Sequence, residues 1–125
     1  MIPHWQKRTE MLLGSEALLK LKESRVLIAG LGGVGSWATE FIVRSGVGNI
    51  TIIDSDAVEV SNINRQLPAT HKTIGQSKAQ IMSARLLEIN PELNLTVIEK
   101  YINDETVDEI LTGDYDLVVD AIDTL

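Results

Sequence analysis

The sequence predicts an α/β fold: a Rossmann-like, mainly parallel sheet with helices on both faces, preceded by an N-terminal helical arm. Three observations predict it. Residues 26–29 form a short apolar run that leads directly into the glycine turn Gly30-Leu31-Gly32-Gly33-Val34-Gly35, and a helical pattern follows at once. A second apolar run, residues 49–54, ends on an acidic residue, Asp54, 24 positions after Gly30. Apolar runs and helical patterns then keep alternating along the chain. Strands that read as continuous apolar runs, separated by helices, are the mark of a parallel sheet covered on both sides.

The arm comes first. Residues 4–23 are expected to be helical, with Ser15 capping a second helix whose apolar side is Ala17, Leu18, Leu19 and Leu21. Trp5, Met11, Leu12 and Leu13 are expected to be packing anchors, and Arg8 on its own reads as a solvated helix charge. The glycine turn follows the first strand. Its first glycine lets the chain leave the strand sharply, its second lets a ligand phosphate approach the backbone, and its third lets helix pack on strand. Amides at the helix start, at the positive end of its dipole, would hold an anion. Gly30, Gly32, Gly33 and Gly35 are therefore candidate nucleotide-binding positions. In the helix that follows, Val34, Trp37, Ala38, Phe41 and Ile42 recur at helical spacing, and Trp37 is expected in the core. Glycines at 46 and 48 end the helix.

Asp54 stands where a carboxylate can accept hydrogen bonds from ribose hydroxyls; a turn or cap is the other reading. Residues 55–76 form a long polar stretch, and a loop of that length inside a compact domain is usually functional. Its centre, Ser61-Asn62-Ile63-Asn64-Arg65-Gln66, is dense in hydrogen-bonding groups. Arg65 suits phosphate because a guanidinium makes two charge-assisted bonds at once. His71 and Lys72 read as surface residues. Ser77 is expected to cap a helix that buries Ala79, Met82, Leu86 and Ile89 and stops at Asn90-Pro91. Lys78 sits at the start of this helix, where a plain charge is disfavoured by the dipole and an anion contact explains it better. A third strand over 95–100, a short acidic helix over 104–111 capped by Asn103, and a fourth strand over 115–121 complete the reading. Asp120 and Asp123 fall at the carboxyl end of that strand, where they can hold Mg2+ or cap a turn.

Composition narrows the function classes. The chain has 125 residues, 44% of them hydrophobic, and a net charge of -7. The charge is uneven, with +2 over residues 1–25 and -9 over the rest, which argues against broad contact of the body with nucleic-acid phosphates. No apolar run approaches the roughly 20 residues that span a bilayer, so no membrane partner is expected. The N-terminus lacks a signal-peptide pattern and there is no cysteine, which excludes disulfides and thiol chemistry; a cytoplasmic protein is the expectation. The chain stops just past its fourth strand. It is expected to be a fragment, with 1–24 an arm and 25–125 the N-terminal part of a nucleotide-binding domain.

A nicotinamide oxidoreductase needs the glycines and the acid but not Arg65, Lys78 and a metal-binding Asp. Those extras suit a triphosphate whose charge must be neutralised as a bond to phosphorus breaks, so ATP with Mg2+ is the favoured reading.

The segments GLGGVGS (30–36), GVGNITIIDSDAVEVSNINRQ (46–66), IGQSK (74–78), INPE (89–92) and DAID (120–123), in this order and spacing, resemble the ThiF/MoeB/HesA adenylating enzymes, relatives of the ubiquitin-activating enzymes. The resemblance implies that Gly33 lines an ATP site, that Asp54 binds ribose, and that Ser61, Asn62, Asn64 and Arg65 hold ATP with Arg65 on phosphate. It implies Lys78 on the phosphates, Asp123 on Mg2+ and the reacting nucleotide, and Arg8 reaching a partner's site across a homodimer. Thr124 departs from the Asn that many relatives carry. The implied chemistry is attack of a substrate carboxylate on the α-phosphate of ATP. The segments are most similar to the branch that dehydrates threonylcarbamoyladenosine in tRNA. A sulfur-carrier adenylyltransferase acting on a ubiquitin-like C-terminal glycine is the alternative partner class. A nicotinamide oxidoreductase domain and a non-catalytic scaffold subunit are the further alternatives.

Overall fold

The structure, a computed structural model, describes residues 2–122. A single 3-10 turn, His4–Gln6, opens the arm, and helices α1 (Lys7–Leu13) and α2 (Ser15–Glu23) follow. Strand β1 (Arg25–Ala29), helix α3 (Gly35–Arg44), β2 (Asn49–Ile53), α4 (Lys78–Ile89), β3 (Asn94–Ile98), α5 (Val107–Leu111) and β4 (Leu117–Asp120) complete the chain in alternation. All strand pairs are parallel, in the order β3-β2-β1-β4.

The sheet order explains the placement of the helices. The chain walks from β1 to β2 to β3, then returns to the other side of β1 for β4. Right-handed crossovers in opposite directions put their helices on opposite faces. Val26, Ile28, Ile50 and Ile52 pack with Val43 of α3 and with Ala79, Met82 and Leu86 of α4. Their alternates Leu27 and Ile53 face the other way and meet Ile110 of α5. The predicted fold class is therefore present, with two helices on one face and one on the other. Among the described residues no helix is long and apolar enough to cross a membrane.

Local chemistry sets the helix ends. Ser77 is the N-cap of α4 as expected: its hydroxyl accepts from Gln80 N at 3.2 Å and donates to the Glu99 carboxylate. The Ser77 hydroxyl, with Gln80 Nε2 donating to the other Glu99 oxygen at 3.0 Å, holds Glu99 below the usual carboxylate range. Gly14, not Ser15, stands at the N-cap of α2, at φ +87°. Asn103 caps a turn, with Oδ1 accepting from Glu105 N and Thr106 N, and the helix itself begins only at Val107.

Two expectations about packing fail. Met11 is 85% exposed, and Trp5, Leu12 and Leu13 are exposed with it, so they anchor nothing in this chain. The arm is held instead by buried Gln6 and Leu18, which pack against Gly46, and by Asn49, whose side chain donates to the carbonyls of Lys22, Glu23 and Ser24. On α3 the apolar stripe Val34, Trp37, Phe41 points outward, with Trp37 44% exposed, and the buried face is Gly35, Ser36, Thr39, Glu40 and Val43. Close approach of this helix to β1 requires small residues on the inner face, so the large apolar ones are turned out.

Glu40 carries the one carboxylate on that inner face. Arg85 of α4 binds it through two nitrogens, and Arg44 pairs with it at 3.3 Å. The Arg85 hydrogen bond holds Glu40 below its ordinary value of 4.5 against the opposing effect of burial, and the charges of Arg85 and Arg44 add to it. The folded-state value is depressed, so the pair's stabilisation is fully present above pH 4.5 and is lost as pH falls through the folded value. Glu40→Gln is expected to cost about 1–2 kcal/mol near neutral pH, the worth of a charged hydrogen bond discounted for the half-exposed Arg85. Urea melts at pH 7 and below pH 4 check this, and the gap between variant and wild type should narrow in acid.

Candidate nucleotide site

The functional residues gather at the carboxyl ends of the strands, where the sheet order reverses between β1 and β4. Open α/β sheets bind ligands at this point, because the loops leaving neighbouring strands diverge there and leave a crevice. The cleft has a volume of about 110 Å³, and Gly30, Gly32, Asp54, Gln66, Lys78 and Ile122 are among its walls.

The glycine turn is fixed by contacts that leave no room for side chains. Gly30 has φ +97°, its N–H bonds to Ile53 O at 2.9 Å, and a Cβ there would lie 2.7 Å from Ala121 O. A Cβ on Gly35 would sit 1.7 Å from Gly30 O, so the helix can begin under the turn only with glycine. Gly32 and Gly33 are different. A Cβ on Gly32 would meet the Gln66 amide at 3.6 Å, and one on Gly33 would meet the Arg65 stem at 3.3 Å. These two face outward toward the loop, and their N–H groups, which bond to nothing among the described residues, are free to meet a ligand. Ser36 closes the arrangement by donating to Gly32 O and accepting from Leu67 N.

Asp54 is half-buried at the end of β2. One carboxylate oxygen accepts from Leu31 N at 2.8 Å and the other from Asp56 N at 2.7 Å. It thus shapes the glycine turn while lining the cleft, and each oxygen keeps a free lone pair. Lys78 is 5% exposed at the first turn of α4. Its backbone N–H bonds to Asp56 O, but the nearest carboxylate to its ammonium is Asp56 Oδ2 at 3.9 Å. A buried ammonium so weakly paired is costly to fold, and it faces a cleft into which an anion would fit.

The remaining predicted residues fall in three places. Arg65 lies at the rim over Gly33, with one nitrogen held by Ser61 O at 3.1 Å and Asn64 Oδ1 at 2.9 Å. Ser61 and Asn64 therefore orient the guanidinium, and Trp37 braces the same loop by donating to Arg65 O. Asn62 is buried behind them, its Oδ1 accepting from Glu59 N at 2.8 Å in a capping box at the 3-10 turn Val60–Asn62, whose N-cap is Glu59. Arg8 is exposed on α1, and the arm packs at the amino ends of the strands, so the structure does not bring it to this chain's own cleft. Asp123 lies outside the described residues. Among the described residues no cluster of three His, Cys, Asp or Glu forms a metal site.

Sequence reasoning named Gln66 only as part of the 61–66 stretch, with no role of its own, and missed Asp56 and the loop after β3, where Tyr101 and Ile102 form a wall of the cleft. The signal for the loop was available, since every strand in a parallel sheet delivers its following residues to the same edge. Gln66 gave no such signal beyond its neighbours.

Comparison with known proteins agrees with this geometry. Bacillus subtilis tRNA threonylcarbamoyladenosine dehydratase is 43% identical over 122 residues, covering 98% of this chain and 48% of that protein. Escherichia coli tRNA N6-threonylcarbamoyladenosine dehydratase, solved in complex with ATP, matches with a TM-score of 0.93 at 39% identity, covering 99% of this chain and 53% of that one. Salmonella typhimurium molybdopterin-synthase adenylyltransferase is 38% identical over 112 residues, covering 90% of this chain and 43% of that protein. The chain spans about half the length of the curated relatives it matches. Residues 6–125 match the ThiF family, and with the glycine turn, Asp54 and Lys78 assembled at one strand edge, the chain belongs to that family.

Proposed function

We propose that the cleft binds ATP and that the protein adenylates a substrate carboxylate, the threonylcarbamoyl group of a modified tRNA adenosine. The observation that carries this is Lys78, 5% exposed beside the glycine turn, whose nearest carboxylate, Asp56 Oδ2, stands 3.9 Å away. In the proposed step a carboxylate oxygen bonds to the α-phosphorus, the bond to the β-phosphate breaks, and pyrophosphate leaves with the electron pair. An acyl-adenylate remains, and on the tRNA it cyclises as AMP departs. The glycine-turn amides and Lys78 neutralise phosphate charge, Arg65 reaches in from the rim, and Asp54 accepts from the ribose hydroxyls. Ser61, Asn62 and Asn64 shape that loop. Mg2+ would supply further charge neutralisation on the phosphates, with Asp123 as its ligand.

Residues 25–125 are proposed as the first part of the adenylation domain and 1–24 as an arm that serves a second copy. A homodimer is favoured because the arm packs away from its own cleft, so an Arg8 that serves a nucleotide site would serve a partner's. The protein is proposed to work in the cytoplasm. The acidic body, at -9 over residues 26–125, favours a second reading, a ubiquitin-like sulfur carrier as substrate. Pyrophosphate release by the full-length protein, the product common to both substrates, tests the choice. Release with threonylcarbamoyladenosine-modified tRNA and not with a sulfur carrier is expected; the reverse would move the protein to the carrier branch.

A further inference from the structure

Gln66 is the one buried polar side chain among the described residues with an atom left unpaired. It is 6% exposed, it lines the cleft, and its Oε1 has no hydrogen-bond partner among the described residues. Native folds rarely tolerate such an atom, because burying a polar group without a partner costs stability. The backbone around it is firmly tied: Gln66 N donates to Asn62 O at 2.9 Å and Ala69 N donates to Gln66 O at 3.0 Å. Leu67 N is held by Ser36 Oγ, which also bonds the glycine turn. The side chain is therefore delivered to one place, beside Gly32, whose missing Cβ would meet Gln66 Nε2 at 3.6 Å.

We infer that the Gln66 carboxamide is a further binding group of the cleft, and that it reads the phosphate end of the bound nucleotide. This rests on the nucleotide reading given above. Gly32 is the glycine over which a phosphate approaches the backbone, and Lys78 lines the same space. A carboxamide suits this position. A half-turn about its last torsion exchanges oxygen for NH2, so it can donate to a phosphate oxygen without bringing a second full charge beside Lys78. The unpaired atom is then a feature kept for the ligand at the expense of the ligand-free fold, as strain at functional sites often is.

That trade gives the test its sign. Gln66→Met keeps the length and removes both polar atoms. On the full-length protein it is expected to raise the ligand-free Tm by about 2–4 °C, since the unpaired acceptor is gone. It is expected to raise the Kd for Mg-ATP about tenfold by calorimetry, the loss of one charge-assisted hydrogen bond. Gln66→Glu keeps the shape and places a carboxylate against phosphate. It should weaken ATP by about a hundredfold while leaving adenosine within about threefold, and it carries the test if the Met variant fails to fold. A fall in Tm with unchanged ATP affinity would overturn the inference and make Gln66 a structural residue. Equal losses for ATP and adenosine would overturn its placement at the phosphates. Wild-type protein that binds no ATP would remove the nucleotide reading and this inference together, whereas wild-type binding with both variants unaffected would remove this inference alone.

Discussion

Gly35→Ala is expected to destabilise the fold by more than about 3 kcal/mol, beyond the usual ~1–3 kcal/mol cost of overpacking. The added methyl would lie 1.7 Å from Gly30 O and 3.1 Å from Ala121 Cβ. Neither neighbour can yield cheaply. Gly30 is itself fixed at φ +97° by its bond to Ile53 O, and Ala121 N bonds to Ala29 O as the chain leaves β4. The clash is thus with backbone tied to two strands, and relief would require α3 to lift off β1. Domains of this size are stable by about 5–15 kcal/mol, so the variant is expected to lose a large share of its stability. Urea unfolding measures it, and a loss below about 1 kcal/mol would show that the turn is more plastic than the contacts indicate.

Lys78→Met is the second large effect, and it falls on activity. The methionine fills the same volume and removes a buried charge whose nearest carboxylate is 3.9 Å away on the exposed Asp56. Stability should therefore hold or rise, because an ammonium taken from water with so little compensation is a net cost to folding. Adenylation should fall by at least about 10²–10³-fold, the usual loss when one preorganised group that meets developing charge is deleted. The two readouts separate the roles: a destabilised variant with near-normal turnover would mark Lys78 as structural, and turnover within about tenfold of wild type would take it out of the phosphate site.

Much of this was legible in the sequence, and the reasons are specific. The glycine turn declares itself because sterics leave no alternative at Gly30 and Gly35. Asp54 follows from its place at a strand end, and Ser77 from the capping preference of serine. Helix α3 was not legible. Its apolar periodicity is real, but periodicity reveals a face without saying what covers it. The stripe Val34, Trp37, Phe41 is turned outward, while Gly35, Ser36 and Thr39 meet the sheet and Glu40 is neutralised by Arg44 one turn on and by Arg85, 45 residues away in sequence. The arm fails for the same reason, since Met11 and Leu12 look like core residues to any scale of hydrophobicity. Asn62 shows the limit at single side chains: its neighbours Ser61, Asn64 and Arg65 reach the rim, yet its own oxygen is engaged by Glu59 N.

The central claim is that the cleft beside Gly32, Asp54 and Lys78 is built for ATP rather than for a nicotinamide dinucleotide. Calorimetric titration of the full-length protein with Mg-ATP and, separately, with NADH tests it most directly. The account predicts saturable ATP binding that Lys78→Met weakens at least tenfold, with no heat from NADH and no competition by it. Saturable NADH binding with indifference to Mg-ATP would contradict it.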